Sequence, residues 1–216
     1  VTARLLVAAA LLAAAPLPAL AWGSCSVNLG RGWPPAVGNY GGAVEKLFDG
    51  EATPAVSLLT LPARGVESGM ALVPGAEGAE WTLRYSRAEQ RVYNRVENGQ
   101  RSGVELRTAQ TPERFEVPIP ATLAKRLLDT WNTALGQMSP EGRGAPVLDG
   151  EVLSFVVNGV RYSGTRPTCG AGELMLQQAA LLIEASEGKE KKREKRWNEL
   201  ESSLDELQQA LAGNAG

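Results

Sequence analysis

Glu151-Val152-Leu153-Ser154-Phe155-Val156-Val157-Asn158-Gly159-Val160-Arg161-Tyr162-Ser163-Gly164-Thr165 is the stretch on which the fold class turns. Two apolar, β-branched runs flank Asn158-Gly159. That dipeptide suits a type I′ turn, whose two central residues both need positive φ. The stretch predicts a β-hairpin. Upstream, Leu123, Leu127, Leu128, Trp131 and Leu135 form one apolar stripe, with Lys125, Arg126, Asp129 and Asn132 on the other side. The spacing predicts a helix over 120–137, ended by Gly136 and Pro140. Downstream, Arg166-Pro167-Thr168-Cys169-Gly170 breaks the sheet, and the apolar run from Glu173 to Ala185 predicts a buried helix.

Further upstream the period is two. Trp81, Leu83 and Tyr85 alternate with Thr82, Arg84 and Ser86; Phe115, Val117 and Ile119 repeat the pattern, with Pro118 pointing to a sheet edge. Ala55–Leu61 and Met70–Val73 are short apolar runs bounded by Pro and Gly. Residues 91–96 and 104–108 alternate on either side of an Asn98-Gly99 turn, and Ala43–Phe48 has room for a helical turn. Residues 22–42, rich in Gly, Pro and Asn, read as an irregular arm. Strands first and helices late give an α+β class: an antiparallel sheet of roughly five or six strands, a packed helix, a C-terminal hairpin and a buried helix.

The character changes after Glu187. Lys189 to Arg196 carries six basic residues interleaved with glutamates, and then Trp197, Leu200, Leu204, Leu207 and Leu211 recur at heptad spacing. This reads as a charged helical extension over 188–216, attached to an α+β domain over 22–187. Its apolar edge must be buried, either by folding back or against a second copy or protein partner. The polar first half suggests that the domain folds without it.

At the other end, Arg4 precedes an unbroken Leu/Val/Ala run from Leu5 to Ala15, then Pro16, Pro18 and Ala19-Leu20-Ala21. That is the pattern of a secretory signal over 1–21, cut before Trp22. The run is too short to span a bilayer, and no later run approaches the roughly 20 apolar residues required. A periplasmic or extracellular address follows. Val1 reads as a GUG start or a missing first residue, and either origin points to a bacterium. Outside the cytoplasm, the two cysteines, Cys25 and Cys169, are expected to pair as a disulfide. The rival is a lipoprotein with Cys25 acylated behind Gly23-Ser24; it would strand Cys169 as a lone thiol.

Loss of Arg4 with the leader leaves 21 basic against 24 acidic residues, a net charge of −3. Nothing there draws the chain to nucleic acid. Histidine is absent, which removes the commonest general base, the usual nucleophile pairs and the commonest transition-metal ligand. No metal or cofactor motif is present.

Catalytic candidates are few. Asp149 and Glu151 flank Gly150 and, joined by Glu113 or Glu116, would supply paired carboxylates for glycan hydrolysis. Ser186-Glu187-Gly188-Lys189 matches S-x-x-K without its companion K-T-G. Seven arginines between residues 81 and 114 suit an anionic lipid or lipopolysaccharide; interspersed glutamates suit cross-strand ion pairs on a solvated sheet face better. The reading that fits most of this is a non-enzymatic envelope protein that binds a protein or surface component. A carboxylate-dependent cell-wall hydrolase and a peripheral anionic-lipid binder are the alternatives.

Overall fold

The computed structural model describes residues 27–76, 80–98, 101–146 and 150–213. In chain order the elements are β1 (Leu29–Arg31), α1 (Gly38–Asp49), β2 (Val56–Leu61), β3 (Ser68–Val73), β4 (Trp81–Arg87), β5 (Tyr93–Asn98) and β6 (Arg101–Leu106). They continue with β7 (Glu113–Ile119), α2 (Ala121–Met138), β8 (Val152–Val157), β9 (Val160–Gly164), α3 (Gly170–Glu187) and α4 (Glu190–Gly213). The class is α+β. An antiparallel sheet of seven strands runs in the order β1-β9-β8-β2-β3-β4-β7, and β5-β6 forms a separate two-stranded ribbon.

The β8–β9 hairpin turns at Asn158 (φ 50°) and Gly159 (φ 75°), both left-handed as a type I′ turn requires, with Val157 opposite Val160. β7 closes one edge, where Pro118 leaves no N–H missing from an inner ladder. β1 closes the other, so the N-terminal arm is not irregular throughout. Leu29 is buried opposite Gly164, where any Cβ would stand 1.8 Å from the Asn28 carbonyl oxygen. A glycine there lets the edge strand lie close, a signal that composition alone hides. Likewise α1 starts at Gly38, five residues before the expected turn.

Alternation divides the sheet into two faces. Val56, Leu58, Met70, Leu72, Leu83, Leu153, Phe155 and Val157 belong to the main core, together with Trp131 and Leu127 of α2 and Met175 and Leu182 of α3. On the opposite face Leu59, Leu61 and Val152 meet Val44 and Phe48 of α1. Small residues there admit the helix: Ser163 and Ser154 on one side of Leu59, and Gly69 and Ser86 on the other, follow one another across neighbouring strands. A Cβ on Gly69 would sit 3.1 Å from the Phe48 ring.

The C-terminal helix corrects the expected domain boundary. Only Gly188 and Lys189 separate α3 from α4, which makes the two an antiparallel hairpin. α3 carries Leu or Ile on several sides (Leu174, Leu176, Leu181, Ile183), so it has a second face to offer beyond the one on the sheet. Leu200, Leu204 and Leu207 are fully buried and Leu211 almost so, in the same cluster as Trp131 and Phe155, with Trp197 packed at its edge. Fully burying each leucine stabilises by about 1.5–3 kcal/mol. The seam is therefore core, and residues 190–213 belong to the domain.

A buried polar relay sets the register of this packing. The Trp131 indole donates to Gln178 Oε1 (2.7 Å), and Gln178 Nε2 donates to the Ser203 carbonyl (3.0 Å) and hydroxyl (3.1 Å). α2, α3 and α4 are thereby tied through one side chain that is wholly buried.

Candidate functional site

The β5–β6 ribbon stands off the main sheet, and its attachment borders a groove. Glu67, between β2 and β3, is fully buried and accepts three hydrogen bonds: from Val92 N–H (2.8 Å), from Tyr93 N–H (3.2 Å) and from the Tyr40 hydroxyl. A buried carboxylate is tolerated when several donors satisfy it. It thus pins the start of β5 and the first turn of α1 to one point. Burial first, and then the bond to Glu67, hold the Tyr40 hydroxyl well above the usual tyrosine range, so it keeps its proton and donates. The Tyr40 and Tyr93 rings meet edge-on at 5.1 Å.

Around this clamp lies a cavity of about 490 Å³, within the size range of ligand sites. Leu61, Pro62 and Val152 give an apolar wall, Tyr40 and Tyr93 an aromatic one, and Arg91 and Arg95 the charge. The lining residues include no acid among those described. Arg91 is held in place: its Nη2 donates to the Ala63 carbonyl (2.8 Å) and its guanidinium sits 5.6 Å from the Tyr93 ring centre. Arg95 is exposed and has no hydrogen-bond or ion-pair partner among the described residues.

The second cluster lies where α1 crosses the sheet. Arg161 on β9 stacks 4.1 Å over Trp33 and donates to both oxygens of Glu45 (2.6 and 2.8 Å). Arg114 donates to the Leu47 and Phe48 carbonyls, and Arg84 to that of Asp49, which satisfies the C-terminal end of α1 with positive charge. Asp49 itself is pushed up to about 6, by burial and then by Glu45, against the pull of Arg84, Arg161 and Arg114. The space beside it, bounded by Ser57, Arg84 and Ser86, is about 20 Å³. That is room for a water molecule, not a substrate.

The sequence-derived candidates fare differently. Glu113 and Glu116 sit on edge strand β7 and are paired with Arg87 and Arg84 (2.6 Å for the latter), each directly opposite on β4. These are the cross-strand pairs expected of a sheet face. Glu151 precedes β8 and pairs with Arg166 (3.1 Å). Four strand spacings separate β8 from β7, about 19 Å. Glycosidase carboxylates stand within about 10 Å. Glu151 therefore forms no catalytic pair with Glu113 or Glu116, and Asp149 lies outside the described residues. Ser186 is buried and donates to the Ile183 carbonyl within α3 (2.7 Å), so the S-x-x-K match carries no nucleophile. No cluster of metal-binding side chains occurs among the described residues.

Of the residues expected to contact a partner, Leu200, Leu204, Leu207 and Leu211 are buried within the chain itself, and Trp197 packs partly buried at the edge of the same cluster. Cys169 stands extended at the start of α3 and is not a free thiol. The pairing expected for it involves Cys25, which lies outside the described residues, as does the leader 1–21.

Tyr40, Glu67 and Tyr93 escaped the sequence reading, and Arg91 and Arg95 entered it only as two of the seven arginines between residues 81 and 114. Their one legible trace is Arg91-x-Tyr93-x-Arg95, an alternation of charged and aromatic residues where a strand of the core would show aliphatic ones. No family model, no curated protein and no solved structure matches the chain.

Proposed function

We propose that this chain is an exported, non-enzymatic binding protein of the bacterial envelope, and that the Tyr40/Tyr93/Arg95 groove is where it takes its ligand. One observation carries the reading: a ligand-sized cavity with apolar, aromatic and cationic walls, beside a buried carboxylate whose hydrogen bonds hold two of its walls, Tyr40 and Tyr93, together. The export half rests on the signal-like pattern over 1–21 and on a Cys25–Cys169 disulfide that an oxidising compartment permits. No helix among the described residues is long and apolar enough to cross a membrane.

The test is site-specific photocrosslinking in a bacterial producer. A benzophenone side chain at Ala63, on the groove, should capture an envelope component; the same group at Lys125, exposed on α2, should not. Equal labelling at both positions, or none at Ala63, removes the groove from the account. Intact-mass measurement of the exported chain tests the rest. Reduction should add about two mass units with no lipid present. An acyl group on Cys25, or a retained leader, would count against this topology.

A further inference from the structure

We infer that the groove accepts an extended acidic peptide segment in which carboxylates alternate with an apolar or aromatic side chain. This rests on the groove being the binding site proposed above. Arg91, Tyr93 and Arg95 are spaced by two and line the same cavity. In an extended chain, residues i and i+4 stand about 13 Å apart. A single small anion does not engage the whole row, the Tyr93 ring included. An extended peptide does, because its own side chains repeat on one face with the same period, presenting acid, apolar group and acid to Arg91, Tyr93 and Arg95 in turn.

Arg84, Arg87, Arg107 and Arg114 of the same run all have partners, whereas Arg95 has none among the described residues. Arg91 is fixed by the Pro62 and Ala63 carbonyls through Nη2, which orients its guanidinium. Opposite Arg95 across the ribbon is Val104, at 54 % the most exposed large apolar side chain among the described residues. An exposed valine beside an unpaired arginine suits a partner that brings a carboxylate next to a methyl or ring. The charged side chains among the described lining residues, Arg91 and Arg95, are both positive, which favours an acidic partner.

The probe is the fluorescein-labelled peptide Gly-Asp-Ser-Phe-Ser-Asp-Gly, titrated against the full chain by fluorescence anisotropy. It should bind, bind more weakly as salt is raised, and lose affinity by about tenfold or more with Arg95→Glu. Val104→Asp, on the exposed ribbon, should weaken it in the same direction. Circular dichroism on both surface variants verifies that the fold is kept. A version with lysine for both aspartates should not bind, and Gly-Phe-Ser-Asp-Asp-Ser-Gly should bind more weakly. Equal binding of all three peptides overturns the inference, as does an acidic-peptide affinity untouched by Arg95→Glu. If the peptide fails while crosslinking at Ala63 still captures an envelope component, the ligand class is wrong and the binding reading stands. Arg95-dependent binding to phosphatidylglycerol vesicles, without peptide binding, assigns the groove to lipid phosphate and overturns the inference too.

Discussion

Gly159 and Asp49 show how one side chain or its absence governs local stability. Asn158-Gly159 holds two consecutive left-handed residues, and a β-branched side chain resists that conformation. Gly159→Val should therefore cost about 1–3 kcal/mol in urea unfolding. Asp49 acts in the opposite sense. Its carboxyl titrates near 6 in the folded chain against 3.8 for the free group, so the folded state binds the proton more tightly. Stability contributed there is present below the lower value and is lost as pH rises toward 6. Asp49→Asn should raise the melting temperature at pH 7.5, by roughly 2–4 °C for each kcal/mol recovered, and the gain should vanish as pH falls toward 4. A gain of the same size at both values would place its origin in packing rather than ionisation.

Two attachments between elements have separable consequences. Glu67 holds the β5–β6 ribbon through the Val92 and Tyr93 amides. Glu67→Ala takes the acceptor from three donors, the Val92 and Tyr93 amides and the Tyr40 hydroxyl, at about 1–3 kcal/mol for each that stays buried. Hydrogen exchange should accelerate in the ribbon and at the start of α1, while the strands β2, β3 and β8 keep their protection. The α3–α4 hairpin works through apolar contact. Leu204→Ala should destabilise by about 2–5 kcal/mol, as buried leucines do. Deletion of residues 188–216 should remove Leu200, Leu204, Leu207 and Leu211 from the main core, uncover the apolar surface they pack on, and leave an aggregating or molten chain, seen as lost near-ultraviolet circular dichroism. A deleted chain with an unchanged melting temperature would restore the helix to the status of an appendage.

The chain is built as a sheet with two unlike faces. One face carries the large core under α2 and α3, with α4 along them, and it accounts for the fold. The other carries a smaller apolar cluster around Val44, Phe48, Leu59 and Leu61, is crossed by α1, and leaves the ribbon to form a groove with the end of β2. Function is accordingly proposed for the second face, where packing demands less. The ion pairs Arg84–Glu116 and Arg87–Glu113, partly exposed at the sheet edge, contribute little to stability. Removing either should change the melting temperature by about a degree or two at most.

Local chemistry was enough for the features written in adjacent residues. The type I′ dipeptide at 158–159, the alternation of Trp81, Leu83 and Tyr85, the stripe on α2 and the edge proline of β7 each specify conformation over a few positions. The cross-strand pairing of arginine with glutamate was legible for the same reason. Tertiary structure alone decided what depends on contacts between distant positions. The heptad seam shows only that Leu200, Leu204, Leu207 and Leu211 must be buried; the two-residue link to α3 and that helix's second apolar face determine where. Glu67 reads as an ordinary loop glutamate until the amides of Val92 and Tyr93, some 25 residues away, are brought to it. The groove exists for the same reason. Its walls come from four separate segments of chain, and no local pattern encodes the distance between them.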